Sequence, residues 1–258
     1  MKYEFDGKKY DKASTHQKEW GIKLIEELDL QGMECVLDLG CGDGSLTARI
    51  AELLPRGEVL GIDASQGMIK AAKQKEQHNL SFHREDINNL SFAGRFDVVF
   101  SNATLHWIMD HRRLLANVHR ALRAGGRLRF NFAGDGNCAS FFKVVREAMA
   151  QEVFTGYFAS FKWPWYMPSV DGYRTLAESS ELNNVQVWGE NADRNFPDVD
   201  TMIQWIDQPS LVPFLIHIDD LNKESFRSFV IRRMIEETKQ EDGRCFETFR
   251  RINLSAVK

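Results

Sequence analysis

Asp38, Gly40, Gly42 and Gly44 lie within seven residues of one another in the stretch VLDLGCGDGSLTARI. Glycines at alternate positions let a ligand come against bare backbone N–H groups. The chain after them reads as a helix, whose N-terminus adds partial positive charge. A second acid, Asp63, closes the next apolar run, EVLGID. A carboxylate there can accept two hydrogen bonds from the hydroxyls of a ribose. Loop and acid together point to a nucleoside-containing cofactor. A dinucleotide calls for G-x-G-x-x-G/A; Gly40 and Gly42 fit, but the third position is Ser45. An adenosyl-sulfonium cofactor carries an ammonium and a sulfonium and has no pyrophosphate. Asp38 and Asp43 suit those cations and would repel a pyrophosphate, so the pattern favours S-adenosylmethionine.

These residues need elements to position them. THQKEWGIKLIEELDL spaces Trp20, Leu24 and Leu28 four apart, on one face of a helix. Strands are expected at Val36–Leu39, Glu58–Asp63, through LSFHRED to Asp86, at Phe96–Asn102 and in GGRLRFNF. Helices are expected at Ser45–Leu54, stopped by Pro55, then after a Ser65 cap, and at Arg112–Leu122. Such alternation argues for parallel strands joined by right-handed crossovers and covered on both faces. The ligand crevice of such a sheet lies beyond the carboxyl ends of its strands. Asp38, Asp63, Asp86 and Asn102 all fall at or near such an end, separated by 25, 23 and 16 residues, each enough for a strand–helix return.

The second half reads differently. Residues 136–183 are helical and aromatic-rich, with Phe158, Trp163, Trp165 and Tyr166, and residues 198–241 are helical again. NVQVWGE and CFETFRRINLSAVK are strand-like, so 184–197 and 245–257 are expected to close the sheet. The expected fold is α/β: a doubly wound, Rossmann-like, seven-stranded sheet in one domain over 1–258. Its cofactor-binding core is at 1–135, and the helical segments cap the C-terminal edge of the sheet.

A chain of 258 residues, 43% of them hydrophobic, is ample for a buried core. The net charge of -4 gives no reason to expect nucleic acid or an anionic membrane as partner. No apolar stretch approaches the roughly 20 residues of a membrane span, and the N-terminus has no signal-peptide core, so a cytoplasmic protein is expected. Cys35, Cys41, Cys138 and Cys245 show no CxxC pairing, hence neither a disulfide framework nor a metal site. Cys41 reads as a small residue filling the loop rather than a reactive thiol.

LDLGCGDG, GIDAS, REDI, FDVVFSNATLHWI and LRAGGRLRF, in that order, resemble the motifs of class I S-adenosylmethionine-dependent methyltransferases. SNATLHWIMDHRRLL, VQVWGE, TMIQWI and LVPFL are similar to stretches of the trans-aconitate methyltransferases, which esterify a carboxylate. Insect juvenile hormone acid methyltransferases share the Leu-His-Trp run. The aconitate enzymes have Leu-Gln-Trp where this chain has Leu105-His106-Trp107, and Tyr-Tyr-His where it has Asp193-Arg194-Asn195-Phe196. Those departures bear on the tricarboxylate substrate more than on the reaction.

The resemblance implies roles for individual residues. Gly40, Cys41 and Gly42 would face the methionyl moiety and Asp38 would organise its ammonium. Asp63, with Ala64 beside it, would hold the ribose, Met68 would pack near ribose or adenine, and Asp86 and Ile87 would flank the adenine. Asn102 and Ala103 would lie under the methyl group, while Gln17 and Trp107 line the acceptor site, with Arg194, Trp163 and Tyr166 as further acceptor-site candidates. His106 would hydrogen-bond a carboxylate or serve as base for a hydroxyl. The implied reaction is in-line methyl transfer to a carboxylate of a small molecule or peptide, releasing S-adenosylhomocysteine. A carboxylate, with a pKa near ~4, needs no general base. The alternatives are another oxygen or nitrogen acceptor, or a cofactor-binding adaptor without catalysis. A monomer is expected, with a dimer possible.

Overall fold

The computed structural model describes residues 15–258; the side chains of residues 15–18 and Pro209 lie outside the described set. Among the described residues nine strands form: β1 (Cys35–Leu39), β2 (Glu58–Asp63), β3 (Leu80–Arg84), β4 (Phe96–Asn102), β5 (Leu122–Ala133), β6 (Asn183–Asn191), β7 (Arg194–Phe196), β8 (Cys245–Glu247) and β9 (Arg250–Val257). Seven make one sheet in the order β3-β2-β1-β4-β5-β9-β6. β1 pairs in parallel with both β2 and β4, placing Leu37 between Leu60 and Val99. β5 is parallel to β4, and β9 returns antiparallel to β5. The chain runs β1, β2, β3 to one side and then crosses to β4 and β5. The order therefore reverses between β1 and β4, the place where sheets of this kind open a ligand crevice.

The strands are apolar on both faces because both are covered. Alternate residues go to opposite sides: Leu37, Leu39, Leu60, Ile62 and Val99 enter one core cluster, and Val36, Val59, Val98 and Phe100 the other. The helix Thr15–Glu26 joins the second cluster through Leu24 and Ile25. Gly21 lets this helix come close, since a Cβ there would meet Leu46 at 2.1 Å and the Asn102 amide at 3.0 Å. The helix His111–Ala121 starts on an Asp110 cap, whose carboxylate accepts from Arg113 N at 3.0 Å.

Two compact units result: 15–135, 165–190 and 251–258 in one, 136–164 and 191–250 in the other. The helix Val170–Glu178, grouped above with the cap segments, belongs to the sheet unit. Its Tyr173 and Ala177 are fully buried in the sheet's core cluster. Periodicity shows that a helix has an apolar face, not which surface receives it.

The last segment, expected as one strand, is two. β8 pairs antiparallel with β7 in a small sheet of the second unit, and β9 joins the large sheet. The Asp193 carboxylate accepts from Phe249 N at 2.9 Å and binds the Arg250 guanidinium, pinning the break. Within the second unit, Phe141, Trp205 and Phe214 meet edge to face, and so do Phe154 and Phe226. Among the described residues no helix is long and apolar enough to cross a membrane.

Candidate active site

The three loop glycines differ in what surrounds them. All have positive φ, at 75°, 56° and 80° for Gly40, Gly42 and Gly44. A Cβ on Gly40 would stand 2.1 Å from Thr104 Cγ2, and one on Gly44 would stand 2.6 Å from the Phe82 ring. A Cβ on Gly42 would meet nothing within 4 Å. Gly40 and Gly44 are thus demanded by packing, and Gly42 alone faces open space.

The expected bare amides are not bare. Gly40 N and Cys41 N both donate to Ile62 O, at 2.8 and 2.9 Å, and Gly44 N donates to Cys41 O at 3.0 Å. Gly42 N donates to Asp63 Oδ2 at 3.1 Å. Left-handed turns at three glycines fold the N–H groups of Gly40, Cys41 and Gly42 onto the end of β2 and that of Gly44 back onto the loop. The candidate ligand surface of the loop is the Cα face of Gly42, where an added Cβ would meet nothing within 4 Å, rather than a row of donors.

The acids also divide. Asp38, on β1, is 2% exposed, and its Oδ2 accepts from Thr47 Oγ1 at 2.7 Å. Burial raises its pKa to about 7, against the pull of the Thr47 hydroxyl and with a further push from Asp63. Asp63 ends β2, and its Oδ1 accepts from Ser65 N at 2.8 Å. Asp43 was expected to present its charge to the ligand. Instead it accepts from Ser45 N and Ser45 Oγ, at 3.1 and 2.7 Å, and pairs with Lys75 at 3.7 Å, so it shapes the loop. Asp43 is thus committed to the loop itself, which leaves Asp38 and Asp63 as the candidates to meet a ligand. Two acids beside an open glycine face fit a cationic methionyl group and oppose a pyrophosphate. Burial also pushes the Cys41 thiol far up, so it is an inert filler.

Around the nucleoside end, Ser65 caps the helix Gln66–Ala72, accepting from Met68 N at 3.3 Å. Met68 is 3% exposed. Ala64 O accepts from Arg84 Nε at 3.1 Å. Asp86 caps the short turn Ile87–Asn89, accepting from Asn88 N at 3.0 Å. Burial pushes its pKa up, but opposing contacts, the Asn88 N–H first among them, leave it below the usual carboxylate range. Ile87 is buried in the sheet's core cluster, so its side chain packs inward.

At the expected transfer end, β4 stops at Asn102, and Ala103 turns left-handed at φ 56° while its N–H donates to Asn131 O at 2.8 Å. That turn swings Thr104 toward the glycine loop, where its hydroxyl donates to Gly40 O at 3.1 Å. Leu105–Trp107 then form a single tight helical turn. The Nδ1 of His106 is sealed from solvent and has no hydrogen-bond partner among the described residues. Burial lowers its pKa to about 3, with help from Arg251 and His111. The Gln17 side chain lies outside the described residues; its backbone is one turn before Gly21 on the helix Thr15–Glu26. Arg194 and Trp163 lie in the second unit, whereas Tyr166 is tied to the site by its N–H, which donates to His106 O at 2.8 Å.

Four contributors escaped the sequence reading. Thr47 and Thr104 carry no local signal, because their partners are nine and 64 residues away. His111, 2% exposed, bonds Tyr173 OH and Leu105 O at 3.0 Å each and so holds the 105–107 turn. Arg251 did carry a signal: it is a charge within an alternating strand. It is 4% exposed, bound to Asn131 Oδ1 at 2.6 and 2.8 Å, with its guanidinium 4.6 Å from the Trp20 ring.

Residues 36–126 match a family described as a methyltransferase domain. Over 228 residues the chain is 31% identical to trans-aconitate 2-methyltransferase of Deinococcus radiodurans, covering 86% of each chain. Over 130 residues it is 32% identical to malonyl-[acyl-carrier protein] O-methyltransferase of Bacillus anthracis, covering 48% of each. The crystal structure of YcgJ from Bacillus subtilis is 16% identical with a TM-score of 0.60, covering 93% of this chain and 98% of that one, and shares the fold. A likeness of that extent, in a chain whose sheet reverses at an acid-flanked glycine loop, means that the protein belongs to the class I S-adenosylmethionine-dependent methyltransferases.

Proposed function

We propose that this enzyme methylates a carboxylate oxygen of its acceptor. The observation that carries the reading is His106. With a pKa of about 3, its ring is neutral and a very weak base at neutral pH, so it is no match for an amine or hydroxyl acceptor. The positive charge of Arg251 that helps to keep a proton off His106 favours an anion in the same place. An ionised carboxylate needs no base and gains from that field. The relatives named for trans-aconitate and for O-methylation of malonyl-acyl-carrier protein agree with an acid acceptor.

In this reading Asp38 holds the cofactor's ammonium, Asp63 with Ala64 the ribose, and Asp86 the adenine edge, over the open face of Gly42 beside Cys41. Met68 and Ile87 back the nucleoside. Asn102 and Ala103 lie under the transferring group, and Gln17, His106 and Trp107 border the acceptor. Bound there, S-adenosylmethionine supplies the electrophilic methyl. The chain's own contribution is alignment and exclusion of water rather than proton transfer.

The test is the pH dependence of kcat with methyl-labelled cofactor at saturation and a panel of carboxylic acids. The expected profile is flat from about pH 6 to 9, since an acceptor of pKa near ~4 is ionised throughout. His106→Gln should keep that shape. Turnover of an amine or alcohol with a rising limb that His106→Gln removes would overturn the reading.

A further inference from the structure

We infer that Arg251 is a positioning residue for methyl transfer: through Asn131 and Trp20 it registers the helix Thr15–Glu26 against the end of β4. This rests on the reading above, in which Asn102 and Ala103 lie under the transferring group and Gln17 borders the acceptor. Asn102, Asn131 and Asn253 are register partners on β4, β5 and β9, so one level of the sheet carries an asparagine on three adjacent strands. Asn131 O accepts from Ala103 N at 2.8 Å, which ties this level to the left-handed turn. Arg129 on β5 and Arg251 on β9 stand on either side of it, and both arginines are buried, as are Asn131 and Asn253.

The hydrogen bonds fix which way each amide points. A guanidinium has donors only, and Arg251 Nε and Nη2 both bond Asn131 Oδ1, at 2.8 and 2.6 Å. Asn131 Nδ2 is thereby turned to Asn253 Oδ1 at 2.9 Å, which also accepts from Arg129 Nη2 at 2.9 Å. That in turn sets Asn253 Nδ2 toward Glu190 Oε2, at 3.3 Å. Both arginines also reach the helix. The Arg251 guanidinium lies 4.6 Å from the Trp20 ring, and Arg129 Nε donates to Glu27 Oε2 at 2.8 Å. One contact is within the helix and the other directly after it. Gly21, next to Trp20, sits against Leu46 and the Asn102 amide, so a shift of Trp20 is felt at the end of β4. Apolar side chains of like volume would hold helix and sheet together as well as buried charges do. What a bonded polar network adds is a single geometry. Arg251 acts through these neighbours rather than on a reactant.

The experiment compares wild type with Arg251→Met, Arg251→Lys and Glu27→Gln. Hydrogen exchange with S-adenosylhomocysteine bound is followed in residues 19–26 and 100–104, and calorimetry gives its Kd; neither needs an acceptor. Transfer of labelled methyl to hexanoate, trans-aconitate, hexanol and hexylamine gives kcat and KM. Arg251→Met should quicken exchange in both segments and lower kcat about a hundredfold, the order that misalignment costs, with KM and the S-adenosylhomocysteine Kd near those of wild type. Arg251→Lys, which keeps the charge without the fork, should recover part of kcat. Glu27→Gln changes a half-exposed side chain, so it should fold as wild type does and lower kcat in the same direction by less. Wild-type exchange and kcat in Arg251→Met, or lower urea stability with kcat unchanged, overturns the inference. If Arg251→Met does not fold, the other two variants decide by the same readouts. If none of the four acceptors is methylated, exchange at 100–104 decides: faster upholds the inference and unchanged overturns it. An alcohol or amine as the sole acceptor fails the carboxylate reading and leaves this test to be read on that acceptor. If bound S-adenosylhomocysteine does not slow exchange at 100–104 in wild type, the placement of the transfer end fails, while the tie of the helix to β4 stands or falls on Arg251→Met exchange.

Discussion

Asp38 couples the site to pH. Burial holds its pKa at about 7, against 3.8 for a free side chain. Between those values the folded chain keeps a proton that the unfolded chain has lost. Stability of the cofactor-free enzyme should therefore fall as pH rises across that window and level off above it. A cofactor ammonium favours the ionised form. The Kd for S-adenosylhomocysteine should thus fall toward pH 7 by up to about tenfold per unit and be constant at higher pH. Calorimetry from pH 5.5 to 8.5 checks this: Asp38→Asn should flatten the curve, and a flat wild-type curve would refute the assignment. The glycines give a second residue-scale test. Gly40→Ala sets a Cβ against Thr104 at positive φ and should cost about 3 kcal/mol in urea unfolding. Gly42→Ala should cost about 1 kcal/mol, yet weaken S-adenosylhomocysteine binding, because its methyl enters open space. Equal effects of both variants on folding and on binding would contradict the division of roles.

At the scale of elements, side chains from distant parts of the chain fix the helix and turn ends. Glu247, fully buried on β8, accepts from Ser140 N and Phe141 N at 3.2 and 2.9 Å and so caps the helix Ala139–Met149. Burial pushes its pKa up, although the amides of Thr248, Phe141 and Ser140 pull against it. Glu247→Ala leaves those amides unmet and should cost about 2 kcal/mol, with Glu247→Gln losing less; denaturant titration distinguishes them. Near-equal stabilities of wild type and Glu247→Ala would mean that water takes over the cap. Asp110, Ser65 and Ser169 caps were readable from sequence in principle, because each lies within three residues of the amide it serves. The Glu247 cap was not, with more than a hundred residues intervening. The split of the last segment into β8 and β9 was hidden for the same reason, since Asp193 makes it.

For the molecule as a whole, a ligand that binds only the folded chain shifts the unfolding equilibrium by mass action. S-adenosylhomocysteine at about a hundred times its Kd should stabilise the protein by about 2.7 kcal/mol, raising the melting temperature by roughly 5–10 °C. NAD at the same concentration should leave it unchanged, because Asp38 and Asp63 oppose a pyrophosphate. Equal shifts would count against the sulfonium site. The sequence alone determined the parallel half of the sheet and the acids at its strand ends. Strand, turn and helix there are set by contacts between near neighbours, and the acids at strand ends follow from the alternation of elements. Only the tertiary structure decided what those residues do. It turned the loop amides inward, assigned Gly40 to Thr104, gave Asp43 to Ser45 and Lys75, and brought buried Arg251 near His106. Burial and long-range partners set protonation and free space, and neither is encoded in the order of neighbouring residues.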